Sequence, residues 1–312
     1  MKSRILLAAS ALASFSSFAF ELPQGNGLGA PLVLPATPEK IVTFDLGALD
    51  TLHTLGIPVV GVPSSTYEGA LAGFSKTTVV GTLFEPNYAL LKQIKPDLII
   101  AGGRTQKALP ELQNIAPTIS FSADPRAFLS SVTASTEAIG TAFDKQAQAR
   151  AAVSKLNGTV EQLHAVTKGK TGLFLFVING NVMTHAPGER FGYAYELSGL
   201  SAVLPPADPA ASAQPRPEPG SPAAKAAAAK RAETLANATQ ADPDWLIVLD
   251  RGAINGGKKT AADTLAKHPA LSQTRAYKAG HVYYADPNAW YVVTTGVSNV
   301  QTIAADMLET MK

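Results

Sequence analysis

Two apolar runs, each opened by a Pro-Asp pair, end on an arginine at the same spacing. Pro96-Asp97 leads to Arg104 and Pro243-Asp244 leads to Arg251, seven residues after the aspartate in both cases. If each run is a β-strand, each guanidinium lies just past its C-terminal end, outside which open α/β sheets bind ligands. Two lobes facing each other would then aim two arginines into one cleft. A third candidate, Arg190, sits in the turn 185–192, directly after the strand-like segment 181–184. Arginine keeps its charge at any relevant pH and offers a planar fork of donors, which suits an anionic, oxygen-rich ligand. The plainer reading pairs each arginine with a local carboxylate, as Arg251 with Asp250.

Enzyme chemistry is the rival class. Asp97, Asp244, Asp250 and Glu189 are candidate paired acids, yet Asp97 and Asp244 precede their strands, at the end away from the expected cleft. The chain has no Gly-x-Ser-x-Gly elbow, no phosphate-cradling Gly-x-x-x-x-Gly-Lys loop and no His-Glu-x-x-His helix. Gly102-Gly103 is too short for a dinucleotide fingerprint. The absence of cysteine excludes disulfides, zinc ribbons, iron–sulfur clusters and a thiol nucleophile. Of the five histidines, His53 and His164 fall in helical patterns, and His268 and His281 have no partner at metal-ligand spacing. His185 alone lies near a cleft motif.

The elements that must position these residues follow from composition and periodicity. At 312 residues, 46% hydrophobic and 16% charged, the chain is too apolar for a disordered polymer and long enough for two cores. Residues 1–19 read as a secretory signal, with Lys2 and Arg4 ahead of an apolar stretch and a small-residue cleavage site before Phe20. No cysteine follows for a lipid anchor, so a free, soluble periplasmic protein is expected. Without Lys2 and Arg4 the 26 basic residues become 24, matching the 24 acidic ones, which offers nothing to a nucleic acid.

Strand patterns at 40–44, 58–62, 77–80, 97–101 and 118–121 alternate with helical ones at 46–55 and 88–94, the signature of a largely parallel sheet. A helix over 125–143 precedes a longer one over 145–168, in which Asn157-Gly158 is a possible break. Strands then recur at 171–178, 181–184, 245–250 and 281–284 before a helix over 297–311. The expected fold is α/β, two Rossmann-like lobes (20–143 and 169–312) joined by a single long helix (144–168), with the ligand cleft between them. Residues 205–228, rich in proline and alanine, read as a surface loop or flap, with a solvated helix over 223–238.

Five blocks in this order carry a resemblance: Ile41 to Leu52; Gly81 to Tyr88 running on into Ile94 to Arg104; Glu189 to Gly192; Pro243 to Arg251; and Asp286 to Tyr291. The chain resembles the periplasmic siderophore-binding proteins of bacterial iron-uptake ABC transporters, in the branch for catecholate and related siderophores. The likeness covers nearly all of 40–312 except the insertion. It implies an arginine triad of Arg104, Arg190 and Arg251 that neutralises a trianionic ferric catecholate, whose charge is otherwise costly to desolvate. It also implies a ligand-binding role for Trp290 and Tyr291, with Tyr291 an iron ligand when the siderophore is tetradentate.

The family's histidine ligand has no counterpart, because no histidine occurs between His185 and His268. Either the siderophore fills all six iron positions, another group fills in, or the ligand differs. The resemblance further implies no intrinsic cofactor, a ferric siderophore as ligand, a monomer, and delivery to an inner-membrane ABC permease and its ATPase. Glu85 would dock the first lobe on that permease and Glu233 the second. The alternatives are a haem- or cobalamin-binding protein of the same fold and, more distantly, a secreted α/β enzyme.

Overall fold

A computed structural model describes residues 19–23, 30–209 and 217–312; the expected signal segment, 1–19, lies outside them except for Ala19. A short antiparallel pair, β1 (Phe20–Leu22) and β2 (Leu32–Leu34), precedes the first lobe, within a stretch whose sequence pattern gave no strand signal. The lobe itself comprises β3 (Ile41–Thr43), α1 (Leu46–Thr54), β4 (Gly61–Ser64), β5 (Thr78–Thr82), α2 (Tyr88–Ile94), β6 (Leu98–Ala101), α3 (Leu109–Gln113) and β7 (Thr118–Ser120). Its five strands are all parallel in the order β5-β4-β3-β6-β7. Every residue of β6 is buried, as both faces of a parallel sheet require. Helix starts are set by side-chain caps: Asp45 accepts from the Ala48 amide at 2.8 Å and Asn87 from the Leu90 amide at 3.1 Å.

Two long helices follow, α4 (Phe128–Ala142) and α5 (Gln146–Thr167). At 22 residues, α5 is about 33 Å long, and it runs without interruption through Asn157-Gly158. The buried stripe Ala149, Val153, Leu156, Val160, Leu163 and Thr167 spans the glycine, and that packing outweighs the roughly 1 kcal/mol an interior glycine costs.

The second lobe contains β8 (Thr171–Ile178), β9 (Asn181–Thr184), α6 (Tyr193–Ser198), β10 (Ser201–Ala202), α7 (Pro222–Gln240), β11 (Trp245–Asp250), α8 (Ala261–Lys267), α9 (Arg275–Lys278), β12 (Val282–Ala285) and α10 (Val297–Met311). Its parallel path is β10-β8-β11-β12, with β9 folded antiparallel onto β8. The Pro/Ala-rich insertion is not a loop throughout. Ser221 caps a regular helix through the Ala224 amide (3.1 Å), and Pro222 takes the first helical position, where its missing N–H leaves no bond unmade. The insertion's proline-rich centre, 210–216, lies outside the described residues.

Both Pro-Asp pairs act as clamps at the sheet end away from the cleft. Asp97 accepts from the amides of Glu39 and Lys40 at 3.0 and 2.8 Å, tying the start of β6 to the entry of β3. Asp244 accepts from the Thr171 amide and hydroxyl at 2.8 and 2.9 Å, tying β11 to β8 in the same way. The repeated motif is thus structural at one end of its strand and leaves only the arginine for function at the other.

Candidate functional site

Arg104 leaves β6 on the 3-10 turn Gly103–Ala108. The turn is closed by Thr105, whose hydroxyl accepts from the Gly102 amide and donates to the Gly102 carbonyl. A side chain at Gly102 would place its Cβ 2.8 Å from Asp45 Oδ2, so the tight exit needs glycine. Arg251 opens the matching turn, Arg251–Gly256, after β11. The neighbouring Asp250 does not pair with it. Its buried carboxylate accepts from the amides of Gly252 (2.9 Å), Ala261 (2.7 Å) and Thr260, organising the chain that leads into α8. Glu189 likewise turns away from Arg190 and accepts from the Ala186 amide at 2.8 Å, closing the 185–192 turn. Among the described residues, Arg104, Arg190 and Arg251 make no ion pair, so the local-pairing reading fails for all three.

The three guanidinium groups converge on one ring. Their Cζ atoms lie 5.5 Å (Arg104), 4.6 Å (Arg190) and 5.7 Å (Arg251) from the centroid of Tyr291. Arg190 also stacks on Phe191 at 4.8 Å. Behind Tyr291 the rings of Phe176 and Phe191 stack at 6.3 and 6.0 Å, so the cations stand against an aromatic wall. Arg104 is partly buried, and burial, with Arg190 as a like-charged neighbour, lowers its pKa. Its Nη2 and Nη1 donate to the carbonyls of Tyr291 (2.5 Å) and Val292 (3.4 Å), across the junction between the lobes. Burial pushes the Tyr291 phenol up, but hydrogen bonds and positive charge from Arg251 and Arg190 more than offset it and leave its pKa below the usual tyrosine value. The site gathers three guanidinium charges, none of them in an ion pair among the described residues, around a phenol whose pKa lies below the usual tyrosine value.

Tyr291 is not at a strand end. It stands on the π-helical turn Asn288–Val293, which begins after β12. Trp290 does not reach the cleft. It is fully buried, stacked on Tyr193 at 5.3 Å and near Phe174 and Tyr283. An indole followed by a phenol on so short a turn cannot present both to the same side, and the larger, more apolar ring takes the core. The expected ligand contact at Trp290 is therefore corrected to a support beneath Tyr291.

His185 packs behind the arginine-lined site, among phenylalanine rings. Its ring meets Phe174, Phe176 and Phe191 edge-on at 5.9, 5.9 and 5.1 Å. Burial and the charge of Arg190 depress its pKa to about 4, so it is neutral at pH 7. Glu85 is exposed but not in a first helical turn. It lies in the turn between β5 and α2, two residues ahead of the cap Asn87, with its amide donating to Thr82 Oγ1 at 2.9 Å. Glu233 is exposed on α7. The remaining histidines lie elsewhere: His164 bonds the Glu196 carbonyl at 2.9 Å and His268 Nδ1 accepts from the Leu271 amide at 3.2 Å.

A family model described as periplasmic binding protein matches residues 41–289. The chain belongs to this periplasmic binding protein family. It is 28% identical over 273 residues to the petrobactin-binding protein YclQ of Bacillus subtilis, covering 86% of this chain and 80% of that protein. It is 24% identical over 286 residues to the ferric-anguibactin-binding protein FatB of Vibrio anguillarum, covering 89% and 84%. Among solved structures, the periplasmic catecholate-siderophore binding protein VctP of Vibrio cholerae superposes with a TM-score of 0.74 at 25% identity, covering 93% of this chain and 99% of that one. The two-lobed α/β architecture is the fold of this family. No helix of the described residues is long and apolar enough to cross a membrane.

Proposed function

We propose that this protein captures a ferric siderophore of the catecholate type outside the cytoplasm and delivers it to an ABC permease for iron uptake. The observation that carries the reading is the convergence of Arg104, Arg190 and Arg251 on Tyr291 with no carboxylate paired to any of them. Three fixed positive charges left unneutralised in an aromatic-walled cleft match a compact, oxygen-rich trianion. Two propionates of a haem would leave one arginine unanswered. A bare transition metal would want clustered histidine and carboxylate ligands, and among the described residues no such group of three or more occurs.

Capture leaves the covalent structure of protein and siderophore unchanged. The anion replaces solvent around the arginines, and its aromatic rings meet the wall of Tyr291, Phe191 and Phe176. Where the siderophore leaves an iron position open, the Tyr291 phenolate, eased into ionisation by Arg251 and Arg190, supplies a hard oxygen donor. His185, enclosed by three phenylalanine rings, does not stand in for the family's histidine. With Tyr291 as the one protein donor, a tetradentate cargo leaves its sixth iron position to solvent, and a hexadentate cargo needs no protein donor.

Residues 1–19 are removed on export, the mature protein is a free periplasmic monomer without catalytic activity, and Glu85 and Glu233 meet the permease. The test is intrinsic fluorescence titration of the mature protein with ferric enterobactin, a ferric bis-catecholate, ferric citrate, haem and cobalamin. Submicromolar quenching by a catecholate complex supports the proposal. Response to haem, cobalamin or ferric citrate with silence from both catecholates replaces the ligand and keeps the fold.

A further inference from the structure

The turn that carries Tyr291 is restrained by hydrogen bonds from side chains to its backbone. The turn Asn288–Val293 borders a cavity of about 370 Å³, lined in part by Asp50, Ala289, Val293 and Asn299. Asn299 Nδ2 donates to the carbonyls of Ala289 (3.1 Å) and Thr294 (3.2 Å), either side of Tyr291. Thr294 has φ 61° and ψ −77°, a conformation β-branched residues avoid, so the turn's exit needs an outside restraint. The intervening carbonyls are also gripped by side chains: Trp290 by the Tyr193 hydroxyl at 3.2 Å, and Tyr291 and Val292 by Arg104.

Asn299 is in turn fixed from the other lobe. It lies in the first turn of α10, and the buried Asp50 of α1 caps that turn. Asp50 Oδ2 accepts from the amides of Ser298 (2.9 Å) and Asn299 (3.2 Å), and Oδ1 accepts from the Ser298 hydroxyl at 2.8 Å. Beside it the Thr51 hydroxyl accepts from the Val297 amide at 3.3 Å. Two glycines permit the approach: a Cβ on Gly47 would lie 2.2 Å from Thr295 Oγ1, and one on Gly296 would lie 2.4 Å from Asp50 Cβ.

We propose that Asn299, anchored by Asp50 across the lobe junction, is a positioning residue that sets where Tyr291 stands against the three arginines. The inference rests on the cleft being the ligand site, yet part of its test needs no ligand. Crystal structures of the ligand-free protein and of Asn299→Ala locate the Tyr291 ring directly. In Asn299→Ala the ring leaves its place among the three guanidinium groups, whose Cζ atoms lie 4.6 to 5.7 Å from its centroid in the parent. Asn299→Ser, too short to span both carbonyls, gives the same readout if the alanine variant does not fold.

The second arm is a double-mutant cycle on binding of a synthetic ferric bis-catecholamide, which leaves iron open to Tyr291. Asn299→Ala weakens binding about tenfold when Tyr291 is present, the worth of one or two net hydrogen bonds, and less than about twofold in Tyr291→Phe. Equal losses in both backgrounds, or a Tyr291 ring that stays in place in Asn299→Ala, would overturn the proposal. If the parent protein binds no ferric catecholate, the functional reading falls and the position of the ring alone decides the positioning role.

Discussion

Replacing Arg190 with alanine separates the charge the ligand needs from the interactions the fold needs. The three Cζ atoms lie 4.6, 5.5 and 5.7 Å from one centroid. Arg190 is therefore no more than about 10 Å from either of the others, so each of its two like-charged pairs costs at least about 0.4 kcal/mol at the dielectric of water and about 1.6 at an effective value of 20. Against that repulsion stand two cation–π contacts, to Phe191 and Tyr291, worth about 0.5–1 kcal/mol each at exposed sites. Two such pairs come to about 0.8–3.3 kcal/mol and two such contacts to about 1–2 kcal/mol, opposing ranges that overlap. Arg190→Ala is predicted to change the stability of the ligand-free protein by less than about 1 kcal/mol, a melting shift within roughly 4 °C for a chain of this size. Binding of a trianionic ferric catecholate loses a charge-assisted contact worth about 1.5–3 kcal/mol, a weakening of roughly 10- to 150-fold. Thermal melts and fluorescence titration measure the two quantities on one sample. Affinity within threefold of the parent would refute the role assigned to Arg190, and a large fall in melting temperature would assign it to the fold instead.

Tyr291→Phe is predicted to abolish any tyrosinate-to-iron absorption band with a tetradentate ferric bis-catecholate and to leave affinity for hexadentate ferric enterobactin nearly unchanged; survival of the band in the variant would exclude Tyr291 as the ligand. For His185, the folded pKa of about 4 lies below the ordinary 6.5, so the unfolded chain binds the extra proton first and stability falls as pH drops from about 6.5 through 4. The full shift corresponds to roughly 3 kcal/mol. His185→Phe should flatten that part of the stability profile in denaturant titrations, and parallel profiles for both proteins would contradict it. Gly47→Ala forces a Cβ to within 2.9 Å of the Val293 carbonyl as well as onto Thr295. It should cost about 1–3 kcal/mol, and an unchanged melting temperature would show that the lobe junction has room that its geometry denies.

The placement of Arg104 and Arg251 just past their strands was legible because a short apolar run between Pro-Asp and Arg fixes the strand end, and a parallel sheet turns that spacing into a direction; Arg190 was read only from its turn after a strand-like segment. The strand and helix alternation was read from the same kind of pattern, and the buried stripe of α5 carries that helix past Gly158. What spacing does not encode is which ring of an aromatic pair faces inward. Trp290 and Tyr291 are adjacent, and only the depth of the pocket beneath the turn assigns the indole to the core. The π-helical turn had no signal of its own, since its restraints come from Asn299, Tyr193 and Arg104, which are distant in sequence or held by another lobe. Asp250 offered a plausible partner for Arg251 on proximity. The backbone amides of Gly252, Thr260 and Ala261 claim it instead, because a buried carboxylate at a strand-to-helix turn is best compensated by several fixed donors. The β1 and β2 pairing was invisible because its two short runs flank the Gly/Pro-rich stretch 23–31, whose composition reads as turn and loop sequence.

The most direct test of the central claim is to crystallise the protein with ferric enterobactin and locate the iron by anomalous scattering. The account predicts one strong iron peak in the cleft, enclosed by the guanidinium groups of Arg104, Arg190 and Arg251 and facing the Tyr291 ring. An iron peak anywhere else, including the cavity behind the Tyr291 turn, would contradict it.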